Sequence, residues 1–271
     1  MTQHAPGTPR LVVFTDLDGT LLDHGTYAHD AAGPALAALA ARGAPLVLAS
    51  SKTAAEIAPL HRALRLGRIP AIVENGAAVY RPGEPGRGAA GYARLRRVLD
   101  DLPVDLRRGF KGFGEMSAAE VARETGLAPA DAARAKRRAH SEPGLWTGSA
   151  GGRAAFIAAL AAQGVTVRQG GRFLTLSFGG TKADRMTGIA AELGADLTLA
   201  LGDAPNDVEM LEAADFGVII RNDHGPGIGP LPGEATGRIT RSARPGPEGW
   251  NDAVLGFLAT HPAREAQRTH G

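Results

Sequence analysis

A chain of 271 residues, 44% hydrophobic and 21% charged, is long enough to bury a sizeable core and still carry a smaller second domain. A formal net charge of +2 argues against a nucleic-acid partner, the absence of cysteine excludes disulfides and thiol chemistry, and no apolar run approaches membrane-spanning length. Met1 to Pro9 lacks the apolar core of a signal peptide, so a cytoplasmic setting is expected, and the eight histidines are too scattered to read as metal ligands.

The first element after a tail expected to be disordered (1–10) is Leu11-Val12-Val13-Phe14, an apolar run that reads as a buried parallel strand. Gly19 breaks it, which puts both acids of Asp16-Leu17-Asp18-Gly19-Thr20 at the strand's C-terminal tip, where open α/β sheets bind ligands. Two anions so close are costly unless they share a cation, a proton or an electrophile, and the pattern asks for a metal and a phosphoryl group. The plain alternative is an Asp-Gly turn with a helix-capping aspartate. Pro45 to Ala49 is the next buried strand. It delivers Ser50-Ser51-Lys52-Thr53 to the start of a helix through Glu56, Ile57 and Leu60, and hydroxyls with free N–H groups at a helix N-terminus make an anion site.

Ala71-Ile72-Val73 is expected as the third strand, with Glu74-Asn75-Gly76 as its turn. The pattern then changes. Arg81 to Gly86 is a Gly/Pro-rich hinge or loop, followed by helical segments and short strands at Val165–Arg168 and Arg172–Ser177. Lys182 opens a helix from Ala183 to Leu193, a cation set against the helix dipole that points to an anion unless it is simply solvated. Leu197 to Leu201 is a strand ending in Gly202-Asp203-Ala204-Pro205-Asn206-Asp207, with a helix from Val208 to Ala213. If this strand lies parallel beside the first, Asp203 shares an edge with Asp16, and hard oxygen donors there suit Mg²⁺. Asn206 and Asp207 serve as helix caps or orient metal-bound water. Phe216 to Ile220 is a further strand, Asp223 to Gly233 a long loop, Trp250 a packing anchor, and the chain from 261 a second tail.

These motifs together resemble the haloacid dehalogenase superfamily of phosphatases, whose four motifs are similar to Asp16-Leu17-Asp18-Gly19-Thr20, Ser50, Lys182 and Gly202-Asp203 through Asn206-Asp207, in that order. The resemblance implies an α/β fold, a Rossmann-like doubly wound parallel-sheet core with an inserted α+β cap, together with Mg²⁺ and an aspartyl-phosphate intermediate. It implies Asp16 as nucleophile, Asp18 as general acid/base, Ser50 and Lys182 as phosphate partners, and Asp16, Asp18, Asp203 and Asp207 around the metal. The glycine that often follows the family's lysine is missing here, which we read as a change in helix start.

A narrower resemblance, to the mannosyl-3-phosphoglycerate phosphatase family, rests on Gly112 to Ser117, Glu120-Val121, Thr125-Gly126-Leu127, Arg137-Arg138 with Ser141-Glu142-Pro143, Gly170 to Phe173, Ser50 to Thr53 and Gly246 to Asn251. It implies a small phosphorylated sugar-glycerate as substrate, in compatible-solute synthesis. Arg138 and Arg172 are then candidates for the glycerate carboxylate, Glu142 for sugar hydroxyls, and Ser51, Lys52, Asn75 and Asn206 for further substrate contacts. Read alone, Arg134, Lys136, Arg137 and Arg138 make an ordinary solvated helix face. The expected division is a core of 11–81 and 178–260, a cap of 82–177, and a tail of 261–271. Alternatives that stay open are a phosphatase of glucosyl-3-phosphoglycerate or another sugar phosphate, a phosphosugar mutase, and a silent sugar-phosphate binder.

Overall fold

The computed structural model describes residues 9–84, 89–170 and 172–262. Its strands are, in chain order, β1 (Leu11–Thr15), β2 (Leu46–Leu48), β3 (Ala71–Val73), β4 (Ala78–Tyr80), β5 (Phe110–Gly112), β6 (Ser141–Trp146), β7 (Thr166–Gly170), β8 (Phe173–Ser177), β9 (Leu197–Gly202), β10 (Phe216–Arg221) and β11 (Ile239–Pro245). The fold is α/β, a Rossmann-like parallel-sheet core with an inserted α+β cap domain. By contacts the chain divides into two units, one of residues 1–48 and 186–271 and the other of residues 49–185.

The first unit holds a five-stranded sheet in the order β11-β10-β9-β1-β2, every pair parallel. All five residues of β1 are buried, as a central strand covered on both faces requires. Leu11 pairs with Leu197 and Val13 with Leu46, so β1 lies between the strand that follows it in sequence and one nearly two hundred residues later. The connections run one way from β1 to β2 and the other way from β9 to β11. The strand order therefore reverses between β1 and β9, and at such a switch point the loops diverge and leave a crevice at the strand tips.

Strand β11 was not legible in the sequence. It is an edge strand with Ile239 its one buried residue, so it lacks the apolar run that marks a central strand. Trp250, on the helix Gly246–Thr260, is fully buried and donates its indole N–H to Thr15 Oγ1 at 2.9 Å, fixing the residue before Asp16. Two residues that the sequence analysis assigns to the tails, Arg10 and His261, make defined contacts. Arg10 N donates to Asp196 Oδ2 at 2.8 Å and His261 stacks on Phe257 at 4.1 Å, while 1–8 and 263–271 lie outside the described residues, as do Pro85 and Gly86 of the expected hinge.

In the second unit β3 keeps a single parallel bridge, Ile72 to Ala49, and pairs antiparallel with β4. The third strand of the sequence reading thus forms a ribbon rather than a full member of the parallel sheet. A four-stranded antiparallel sheet, β5-β6-β8-β7, forms the body of this unit. Leu95, Leu99, Phe110, Phe156, Leu160, Leu174 and Leu176 pack as one core, with the Phe110 and Trp146 rings 5.3 and 5.2 Å from Phe156. Interior strand β6 carries Pro143 and Gly144, residues that ordinarily argue against a strand. Gly144 is required there, since a Cβ would lie 2.4 Å from the Phe110 ring. Among the described residues no helix is long and apolar enough to cross a membrane.

Candidate active site

Asp16 follows β1 directly, and its backbone N–H donates to Leu201 O at 2.9 Å, which ties the tip of β1 to β9. Asp16, Asp203 and Asp207 are all buried, and one carboxylate oxygen from each lies within 4.8 Å of the others. Three buried carboxylates held together repel one another and lose hydration, so the arrangement is tolerable when protons or a cation are shared among them. An all-oxygen donor set at a strand edge fits a hard divalent cation such as Mg²⁺.

Each acid is held by its own loop. Thr20 Oγ1 donates to Asp203 Oδ1 at 2.6 Å, and Asn222 Nδ2 donates to Asp203 Oδ2. The orientation of Asn222 is set on its other side, where Oδ1 accepts from the backbone of His224 at 2.7 Å and of Gly225 at 3.1 Å. Asp207 Oδ2 accepts from the backbone N–H groups of Asp203 and Ala204, both at 3.1 Å, closing the β9 loop on itself. Glycine is needed at two points. Gly19 has φ +81° and a Cβ there would lie 2.8 Å from Asp203 Oδ2, while a Cβ on Gly202 would lie 2.4 Å from Asp207. Asp18, which the sequence reading also placed among the metal ligands, is half-buried in the turn bridged to Leu22, and its carboxylate does not join the group of three. Asn206 is half-buried one residue before Asp207.

Within the second unit a different group assembles. Ser50 is buried, its N–H donates to Ile72 O at 2.9 Å, and its Oγ accepts from Lys52 N at 3.2 Å. Asn75 N donates to Ser50 O, and Glu74 N to Lys52 O, both at 2.9 Å. Glu74 and Asn75 both have left-handed backbones, φ 49° and 59°, a strain that such bonds must offset. Gly76, at φ +90°, packs so closely on the backbone of Thr181 and Lys182 that a Cβ would lie 2.2 Å from Thr181 C. The Ser50 turn, Asn75 and the start of the helix Lys182–Glu192 are therefore one packed assembly. Lys182 is 1% exposed, which excludes a solvated surface lysine. Thr181 and Asp184 cap each other's N–H groups at 2.8 and 3.0 Å, so the helix starts cleanly without the family's usual glycine.

The cap residues fare differently. Arg138 Nη1 donates to Ser51 O at 2.8 Å, and its guanidinium lies 5.9 Å from the Phe113 ring. Arg172 is exposed and donates to Glu124 O. Glu142 has no exposed surface, accepting from Tyr92 Oη, from Gly114 N at 2.7 Å and, at 3.5 Å, from Arg96. Burial pushes its carboxyl above the ordinary value against the pull of those donors, and burial beside Glu142 pushes Tyr92 up as well. Glu142 is thus held in a network with Tyr92, Gly114 and Arg96. Three residues escaped the sequence reading. Asn222 carried a signal, a polar residue at the tip of a parallel strand. In the sequence Thr20 is only a motif letter and Glu74 only part of a turn, although Glu74 is buried and accepts from Ala139 N, His140 N and Ser141 Oγ.

A parallel α/β sheet with an acidic triad at its switch point defines a class of hydrolase-like cores. The family model of haloacid dehalogenase-like hydrolases matches residues 13–85 and 160–225, just over half of the chain, and the chain belongs to that family. The fold recurs in solved structures. The sucrose-phosphatase from Synechocystis sp., in complex with sucrose and phosphate, is 16% identical with a TM-score of 0.61, covering 95% of this chain and 100% of that one. A haloacid dehalogenase subclass IIB sugar phosphatase is 17% identical, TM-score 0.62, covering 91% and 98%. A phosphatase of the same superfamily from Bacteroides thetaiotaomicron is 15% identical, TM-score 0.63, covering 95% and 98%.

Proposed function

We propose that this hydrolase is a Mg²⁺-dependent phosphatase that cleaves mannosyl-3-phosphoglycerate to mannosylglycerate and phosphate through an aspartyl-phosphate. The observation that carries the phosphatase reading is the buried convergence of Asp16, Asp203 and Asp207 at the switch point of a haloacid dehalogenase-like core. The substrate reading is supported by the cap and loop motifs that resemble the mannosyl-3-phosphoglycerate phosphatases. It is in keeping with the sugar phosphatases among the structural relatives.

In the proposed reaction an ionised Asp16 oxygen attacks phosphorus as the P–O bond to the glycerate oxygen breaks, and Asp18 gives its proton to the departing alkoxide. Water then attacks the phosphoryl group on Asp16, Asp18 takes the water's proton, and phosphate leaves with Asp16 restored. Asp16, Asp203 and Asp207 would hold Mg²⁺, which supplies charge neutralisation and a template. Asn222 and Thr20 fix the Asp203 carboxylate, and the buried Lys182 and Ser50 are proposed as partners for phosphate oxygens. The core and cap limits of the sequence reading, 11–81 with 178–260 and 82–177, belong to the same proposal.

Phosphate release from mannosyl- and glucosyl-3-phosphoglycerate with Mg²⁺ is the experiment that tests it. Preference for the mannosyl compound is the expected outcome. Preference for the glucosyl compound or another sugar phosphate would move the substrate, and isomerised sugar in place of free phosphate would make the protein a mutase.

A further inference from the structure

A cavity of about 720 Å³ lies wholly within residues 49–185, and it is lined by Arg62, Arg81, Arg137, Arg185, His140 and Tyr80. Small residues of the helix Ala54–Ala63, with Val73 and Val79, make the apolar part of its lining. Ser50, Lys52, Lys182 and Arg138 do not line it.

Three of its arginines lack a carboxylate partner: among the described residues Arg62, Arg137 and Arg185 form no ion pair with a carboxylate. Arg185 donates Nε to Gly76 O at 3.0 Å and Nη2 to Ala77 O at 3.3 Å, but both acceptors are neutral carbonyls. Among the described residues two acids line the cavity. Glu74 has its oxygens taken by Ala139 N, His140 N and Ser141 Oγ, which leaves Glu84 at the exposed rim as the one acid open to the arginines. Guanidinium groups turned on one concave space repel one another, and an anion placed among them removes that cost. Arginine grips phosphate oxygens in a bidentate fork, while an apolar lining takes the uncharged body of a ligand.

We infer that this cavity is a second ligand site, for a small molecule bearing a phosphate or pyrophosphate group. It uses none of the residues of the proposed phosphatase chemistry and stands whether or not that reading holds. It also gives Arg137 of the basic cluster a role other than a solvated helix face.

The test is calorimetric titration of the full chain with pyrophosphate in the presence of a metal chelator, which leaves the acidic triad without a cation. Saturable binding that weakens with added salt is expected, reduced roughly tenfold or more by Arg62→Ala and by Arg137→Ala, and partly restored by the lysine variants. Both arginines are exposed, so the variants should keep the native circular dichroism. No binding at millimolar pyrophosphate, or binding left unchanged in the Arg62→Ala, Arg137→Ala double variant, overturns the assignment.

Discussion

Asp16 has no spare geometry: its backbone is tied to β9, its carboxylate is buried against two others, and the residue before it is pinned by Trp250. Asp16→Asn keeps the shape and removes the nucleophile, so turnover should fall more than about a thousandfold with melting temperature little changed. Near-normal activity in a folded variant would remove covalent catalysis at Asp16. Asn222→Ala should act differently, because it frees one oxygen of Asp203 without touching the nucleophile. The expected result is a loss of Mg²⁺ affinity of about 10–100-fold, with turnover largely regained at high Mg²⁺. A fall in turnover that no Mg²⁺ concentration relieves would mean that Asn222 only holds the loop. Arg138→Ala separates the cap roles, since a bond to Ser51 O and a grip on a glycerate carboxylate predict different losses. A selective loss of roughly tenfold to a hundredfold on carboxylate-bearing substrates supports the grip, and equal losses on a small generic phosphate ester point to the Ser51 turn.

The elements differ in how far they could be read from residues. Strands β1, β2, β9 and β10 announced themselves as apolar runs because they are buried on both faces, and their acidic tips followed from that. Strands β6 and β11 did not, one because Pro143 and Gly144 disguise it and the other because a sheet edge needs little apolar surface. The acidic triad was likewise legible. Its supports were not, since Asn222 acts across 19 residues of sequence and Glu74 across more than 60. The partners of Glu142 were hidden for a related reason: a carboxylate in a substrate-like motif looks the same in sequence whether it faces solvent or a Tyr92 hydroxyl. One contact between elements carries a sharp test. Gly76→Ala places a Cβ against the Thr181 backbone at φ +90°, so a loss on the order of 3 kcal/mol is expected by denaturant unfolding. A neutral result would mean that the turn and the Lys182 helix move apart at little cost.

At the scale of the whole molecule, the buried Glu142 network links the stability of the chain to pH. Its carboxyl is raised in the folded state, so between the ordinary carboxyl value and the raised one the native chain binds more protons than the unfolded chain. This contribution is fully present at low pH and is lost as pH rises through the raised value. Thermal unfolding followed across that window should show stability falling with pH, and the slope should flatten in Glu142→Gln. An unchanged slope in the variant would assign the pH dependence to other groups.

The central claim is that Asp16 accepts a phosphoryl group, and direct observation of that bond tests it best. Wild-type protein mixed rapidly with mannosyl-3-phosphoglycerate and Mg²⁺ should pass through phosphorylated Asp16, whereas Asp18→Asn, which loses the proton donor of the first step as well as the acceptor of the second, should stall at phosphorylation or at hydrolysis. Acid quench followed by peptide mass spectrometry should then find a phosphoryl group on Asp16, absent when the metal is chelated. Stoichiometric phosphate release with no modified Asp16 at any quench time, or a phosphoryl group on another residue, would contradict the account.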